Sequence, residues 1–174
     1  ILTIAEEAGP VASSAGPKTL ADYSFANTPD LDLILLPGGI GTIPELNNQA
    51  MINFLQDRGP KSQITMSVCT GSALLAKAGL LDGLAATSNK MFFKLASSQS
   101  DKVDWQESAR WVDAGRYVTS SGVSAGTDMA LAVIARLFDN ETALQVMNYT
   151  EYQWHQTADL DPFESLLNQG ALPA

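Results

Sequence analysis

The chain has 174 residues, 45% of them apolar, with 10 Lys+Arg against 19 Asp+Glu and a formal charge of −9. That length and apolar share suit one domain with its own core. The acidic balance argues against a nucleic-acid backbone or an anionic membrane as the main partner. The single cysteine excludes an internal disulfide, and one cysteine with one histidine cannot build a zinc site of ordinary ligand count. No apolar run reaches the roughly 18 residues of a membrane span. A reducing, cytoplasmic setting is the default for such a chain. Ile1-Leu-Thr-Ile4 runs into Glu6-Glu7 with no basic leader, so no signal peptide is read. A start that lacks Met and already reads as a strand suggests that the first segment of the fold lies before Ile1.

Short β-rich runs alternate with helical patterns, the signature of βαβ units around a mostly parallel sheet. Ile1 to Ala5 reads as a buried first strand. Gly9 to Asp30 is loop-like, with short extended pieces. Leu31 to Leu36 reads as a buried strand stopped by Pro37-Gly-Gly39. Ile43 to Arg58 is predicted helical, with Leu46, Ala50 and Phe54 on one face, and Gly59-Pro60 ends it. Ile64 to Val68 is the next central strand. Thr70 to Ala78 is a helix of small and apolar residues closed by Gly79. A brief strand at Ala85 to Ser88 precedes a short helix from Met91 to Ser97. Arg110 to Val112 and Tyr117 to Ser121 form a hairpin about Asp113-Ala-Gly115. Gly126 to Phe138, apolar nearly all round, is predicted to be a buried helix. Glu141 to His155 is a further helix, and a polar, Pro-punctuated tail follows from Gln156.

Ligands of an open parallel sheet bind beyond the carboxyl ends of its strands. Three such ends are rich in Gly and Ser: Pro37 to Gly41, Cys69 to Ser72, and Ser120 to Gly126. Cys69 ends a strand and opens a helix of small residues, the thiol counterpart of a nucleophile elbow. The helix N-terminus is expected to lower its pKa and to hold developing negative charge. The plainer reading of a lone cysteine is a small buried hydrophobe. The Gly38-Gly39-Ile40-Gly41 loop lacks the spacing of a P-loop or a dinucleotide site. It is read as presenting N–H groups across from Cys69, or as only a turn. His155, the sole histidine, reads better as an exposed helix-end residue than as a partner of Cys69. Tyr149, Tyr152 and Trp154 read as core or interface. Lys90 is read as a solvated side chain rather than as a charge acting on Cys69.

Leu36-Pro-Gly-Gly39, Val68-Cys-Thr-Gly-Ser72, Ala78-Gly-Leu-Leu-Asp-Gly83, Ala86-Thr-Ser-Asn89 and Ser121-Gly-Val-Ser-Ala-Gly-Thr-Asp128 occur in the order found in the ThiJ/PfpI superfamily. The chain resembles that superfamily, of the class I glutamine amidotransferase-like fold, from Ile1 to about Phe163. Within it the chain looks most like the isonitrile hydratase branch. The resemblance implies an α/β fold, a three-layer α/β/α sandwich with a mostly parallel, flavodoxin-like sheet. It implies one domain over 1–174 lacking the family's first strand and helix, and a homodimer.

It also implies Cys69 as elbow nucleophile, with Thr70 beside it as the second catalytic residue. Oxyanion or substrate contacts are implied at Gly38, Gly39, Ile40, Gly71 and Asn89. A catalytic acid is expected before Ile1. Asn89 stands where many relatives carry His, which weakens protease-like or amidotransferase-like chemistry. The activity implied is hydration of a small electrophile such as an isonitrile to an N-substituted formamide, with no metal and no cofactor. The alternatives are a thiol redox sensor or stress-response binding protein, a glyoxalase-type or amidase/peptidase enzyme, and an inactive scaffold. The partner expected is a small-molecule electrophile, with no nucleic acid and no membrane.

Overall fold

The structure, a computed structural model, describes residues 1–13 and 15–170; the last four residues of the predicted tail lie outside that range. In chain order, β1 (Ile4–Ala5), β2 (Gly9–Ala12), β3 (Lys18–Ala21) and β4 (Tyr23–Ser24) come first. They are followed by β5 (Leu33–Leu36), α1 (Thr42–Glu45), α2 (Gln49–Arg58), β6 (Ile64–Val68) and α3 (Gly71–Lys77). Then come β7 (Ala85–Ala86), α4 (Phe93–Ser97), β8 (Asp104–Trp105), β9 (Trp111–Ala114), β10 (Tyr117–Ser120), α5 (Val123–Leu137) and α6 (Asn140–Tyr149). The main sheet runs β5-β6-β10-β9; β5, β6 and β10 are parallel, and β9 pairs antiparallel to β10.

Helices lie on both faces of this sheet, as a parallel sheet requires, although β5 is covered on one face only. On one side Leu36, Leu55, Leu74, Leu75, Leu81 and Ala96 join β5 to α2, α3 and α4. On the other, Ile64, Met66, Trp111 and Val118 pack against Met129 and Val133 of α5, and α6 packs on α5. The protein is thus an α/β sandwich. No helix among the described residues is long and apolar enough to cross a membrane. The three parallel strands point their carboxyl ends the same way, which gathers the loops after Leu36, Val68 and Ser120 at one edge.

Several elements depart from the sequence expectation. Ile1 and Leu2 are exposed, and the first strand shrinks to Ile4–Ala5, paired with Tyr23–Ser24. Gly9 to Asp30 holds an antiparallel β2–β3 hairpin. β5 is only half buried: Leu33 and Leu35, 40% and 59% exposed, lie beside Ile64 and Met66 beyond the cover of α5. The predicted Ile43–Arg58 helix is two helices, because the Asn48 side chain accepts the Ala50 and Met51 N–H groups and caps a fresh start. The helix before Phe138 begins earlier, at Val123, and shows Thr127, Ala130 and Arg136 to solvent, so it is buried on one face only. α6 stops at Tyr149 rather than His155. There the Thr150 hydroxyl donates back to the Val146 and Met147 carbonyls, and Glu151 turns to φ 51°. The β9–β10 hairpin forms as expected, with Gly115 at φ 85° in its turn.

Leu75 is fully buried between α3 and its neighbours, whereas Leu20 on the β2–β3 hairpin is exposed. Leu75→Ala is expected to cost about 2–5 kcal/mol in chemical denaturation. Leu20→Ala should stay within about 0.5 kcal/mol. Equal losses at the two positions would contradict this placement of the core.

Candidate active site

Cys69 lies between the end of β6 and the start of α3 with φ 60°, a left-handed conformation that costs a β-carbon residue of order 1–3 kcal/mol. Three segments hold it there. Its N–H donates to the Ser121 carbonyl at 2.8 Å. Its carbonyl accepts the Ser88 and Ser72 hydroxyls at 3.1 and 3.3 Å. The turn stands against the loop after β5 with no room for side chains. A Cβ on Gly71 would lie 2.5 Å from the Leu36 carbonyl oxygen, and one on Gly38 would lie 2.5 Å from the Thr70 nitrogen. On the other side, a Cβ on Gly126 of α5 would meet Val68 at 2.7 Å. The small residues singled out in the sequence are what let strand, loop and helix meet at this turn.

The sulfur is half-buried. Burial pushes the Cys69 thiol up, and this outweighs the Thr70 backbone N–H, the Thr70 hydroxyl and the Asn89 side chain, whose hydrogen bonds favour the thiolate. The expected lowering of this pKa is therefore corrected. Thr70 is buried, and its hydroxyl has a second task. It accepts the Gly39 N–H at 2.9 Å and is paired with the Thr42 hydroxyl at 2.9 Å. Gly39 thus meets the site through Thr70, while Ile40 beside it is exposed. Among the described residues, no group accepts the Ile40 N–H.

Asn89 is oriented by its neighbour. The Phe92 N–H donates to its Oδ1 at 3.2 Å, which leaves the amide nitrogen for Cys69. Cys69, Thr70, Gly38, Gly39, Gly71 and Asn89 therefore come together. His155 does not join them. It is exposed, and its backbone N–H donates to Asp128 Oδ1 at 2.8 Å. Trp154 and Tyr152 reach back to the carbonyls of Asp128 and Ser124, while Tyr149 is exposed. No group of three or more His, Cys, Asp or Glu among the described residues could hold a metal ion.

Lys90 overturns its expectation. It is 2% exposed, and its Nζ donates to Thr87 Oγ1 at 3.0 Å and to the Ala109 carbonyl at 2.6 Å, with Asp161 at 3.9 Å. Burial pushes its ammonium down to about 8, with Asp161, Glu164 and Glu107 opposing the shift. No sequence signal marked a role for Arg110 or Asp161. Ser88, Ser121 and Asp128 lay inside quoted motifs without a role, since nothing local shows which carbonyl or cation they meet.

The DJ-1/PfpI family profile matches residues 1–136. The chain belongs to the DJ-1/PfpI family. It is 33% identical over 161 residues to the isonitrile hydratase of Pseudomonas putida, across 90% of this chain and 65% of that one. It is 28% identical over 151 residues to the HTH-type transcriptional regulator GbdR of Pseudomonas aeruginosa, across 87% of this chain and 41% of the regulator. A solved ThiJ/PfpI family protein from Pseudomonas syringae superposes with a TM-score of 0.77 at 31% identity, over 88% of this chain and 63% of that one. The chain thus spans just under two thirds of the hydratase and about two fifths of the regulator. Its DJ-1/PfpI relatives include both an enzyme and a regulator of transcription.

Two outcomes follow. In alkylation by iodoacetamide against pH, half-maximal reactivity of Cys69 is expected above the roughly 8.5 of a free thiol, and Asn89→Ala should move it higher by removing a donor to the thiolate; a midpoint near neutrality would contradict the burial argument. For Lys90, folded at about 8 against 10.5 when free, the unfolded chain holds a proton between those values that the folded chain has released. The cost of burying the charge is therefore complete below about 8, and stability contributed by this group rises as pH climbs from there toward 10.5. The melting temperature of the protein relative to Lys90→Met should rise across that window, and a flat difference would contradict it.

Proposed function

We propose that the protein is a cysteine-dependent enzyme of the DJ-1/PfpI family that hydrates a small electrophile, best represented by an isonitrile, to an N-substituted formamide. The observation that carries this reading is Cys69 itself: a strained residue at a strand-to-helix turn, with Thr70 and Asn89 beside it favouring negative charge on its sulfur. A residue kept only to fill space does not need the strain. The 33% identity to an isonitrile hydratase supports the choice of substrate.

The reaction balances without a redox partner. The S–H bond adds across the isonitrile carbon: sulfur bonds to that carbon, and the thiol proton ends on it, giving a thioimidate. Water then adds to the same carbon, the C–S bond breaks, the thiol recovers a proton and the formamide leaves. A thiol held protonated by burial suits this sequence, because the substrate carbon needs a proton as well as a nucleophile. Thr70 and Asn89 stabilise sulfur as negative charge passes through it, and Ile40 and Gly38 border the approach. Glyoxalase-type hydration would use the same residues on a 2-oxoaldehyde. An expected partner is a second copy of the chain, in a homodimer within the cytoplasm.

A sensing role is the second reading, favoured by the match to a transcriptional regulator. The raised thiol pKa opposes it, since peroxide reacts with thiolate. Mass spectrometry after mild peroxide separates the two: sulfenic or sulfinic Cys69, with isonitriles left unconsumed, would favour sensing.

Cys69→Ala should abolish formamide production from a small aliphatic isonitrile, while circular dichroism and melting temperature remain those of a folded protein. Thr70→Val should lower kcat by roughly tenfold or more, as expected for losing a positioned hydrogen bond. Undiminished turnover by Cys69→Ala would end this reading.

A further inference from the structure

Four charged side chains are buried together behind Cys69: Lys90, Arg110, Asp128 and Asp161, none more than 5% exposed. Such groups are almost never buried unless paired. Here they form a chain. Arg110 Nε and Nη2 meet Asp128 Oδ2 at 2.7 and 2.6 Å. Arg110 Nη1 approaches Asp161 Oδ1 at 3.5 Å, and Asp161 Oδ2 faces Lys90 Nζ at 3.9 Å. Two cations offset two carboxylates. An array of this kind is weak as a stabilising device, because well-packed apolar residues often do as well or better. What it touches points to another role.

Lys90 directly follows Ser88, whose hydroxyl donates to the Cys69 carbonyl at 3.1 Å, and Asn89, whose side chain favours the Cys69 thiolate. The Lys90 ammonium ties this segment to Thr87 and Ala109. Its carbonyl accepts the Asn168 N–H at 2.9 Å, and the Met91 carbonyl accepts the Gly170 N–H at 3.0 Å. Asn168 Oδ1 in turn accepts the Lys94 N–H at 2.8 Å. The segment from Asn89 to Lys94 is therefore fixed on one side by the buried ion pair and on the other by the C-terminal tail, and Asp161 belongs to both. The backbone of Arg110 holds the opposite flank. Its carbonyl accepts the Ser121 N–H at 2.9 Å, and the Ser121 carbonyl receives the Cys69 N–H.

We infer that Lys90 and Asp161 are positioning residues: their buried pair, closed by the tail, anchors the segment from Ser88 to Lys94 and so sets where the Asn89 carboxamide stands relative to Cys69. Neither touches the reacting atoms. The inference rests on the reading of Cys69 as a reactive centre, but its test needs no substrate, so the two fail separately. Inactive wild-type protein, or an active Cys69→Ala variant, would remove the proposed reaction and leave this measurement intact.

The test is the rate of Cys69 alkylation by iodoacetamide as a function of pH in Lys90→Met, Asp161→Asn, Asn89→Ala and the two double variants with Asn89→Ala. Losing one oriented hydrogen bond should slow alkylation about two- to tenfold at fixed pH below the sulfur's pKa. Lys90→Met and Asp161→Asn should both slow it to the level of Asn89→Ala, and neither should add to Asn89→Ala in the double variant. The sign is decisive. These two substitutions change charge in opposite senses, so a direct field on the sulfur would shift the profile in opposite directions. Opposite shifts, additive effects, or an unchanged alkylation profile with only a lower melting temperature would each overturn the inference. Should either single variant fail to fold, Lys90→Met/Asp161→Leu replaces the pair with apolar groups of similar size. That variant is expected to fold and to alkylate like Asn89→Ala; wild-type alkylation in it would be contrary.

Discussion

The left-handed turn at Cys69 is the constraint on which the rest of the site depends. An L-residue with a β-carbon does not hold φ 60° without restraint. The restraint comes from the loop after β10 through Ser121 on its N–H, from the segment after β7 through Ser88 on its carbonyl, and from α3 through Ser72 on the same carbonyl. Ser121 and Ser88 reach the turn from other elements of the chain, so the tertiary fold sustains much of the strain. The parallel alignment of β5, β6 and β10 makes this possible, because it brings their ends to one edge.

Close approach then dictates composition. Gly38 and Gly71 let the loop after β5 lie on the elbow, and Gly126 lets α5 reach β6 beneath it. The space so closed shelters the sulfur from water, which raises its pKa, and leaves the Thr70 and Asn89 donors as the groups that stabilise charge on it. In the proposed reaction this site would add a whole S–H bond to a carbon that needs both parts.

Much of this was legible in the sequence, for stated reasons. Alternating strand and helix signals, a cysteine between an apolar strand and a run of small residues, and Gly-rich strand ends all rest on local rules, and the structure has Cys69 at the strand-to-helix turn they describe, next to the loop after Leu36. The direction of the Cys69 pKa was not legible, because it weighs burial against three hydrogen bonds and burial is a property of the whole fold. Lys90 was misread for the same reason. Lysine is rarely buried without partners, and its partners here, Ala109 and Asp161, lie far along the chain. The split between α1 and α2 escaped notice because the apolar spacing continues across it while the cap at Asn48 breaks it.

The central claim is that Cys69 forms a bond to the substrate carbon. It is tested most directly by rapid quenching of the protein with an isotopically labelled isonitrile, followed by mass spectrometry of the peptide carrying Cys69. The account predicts a mass gain on Cys69 equal to the intact isonitrile, appearing before labelled formamide and decaying as formamide accumulates. Formamide released with no transient adduct on Cys69, or an adduct on another residue alone, would contradict it.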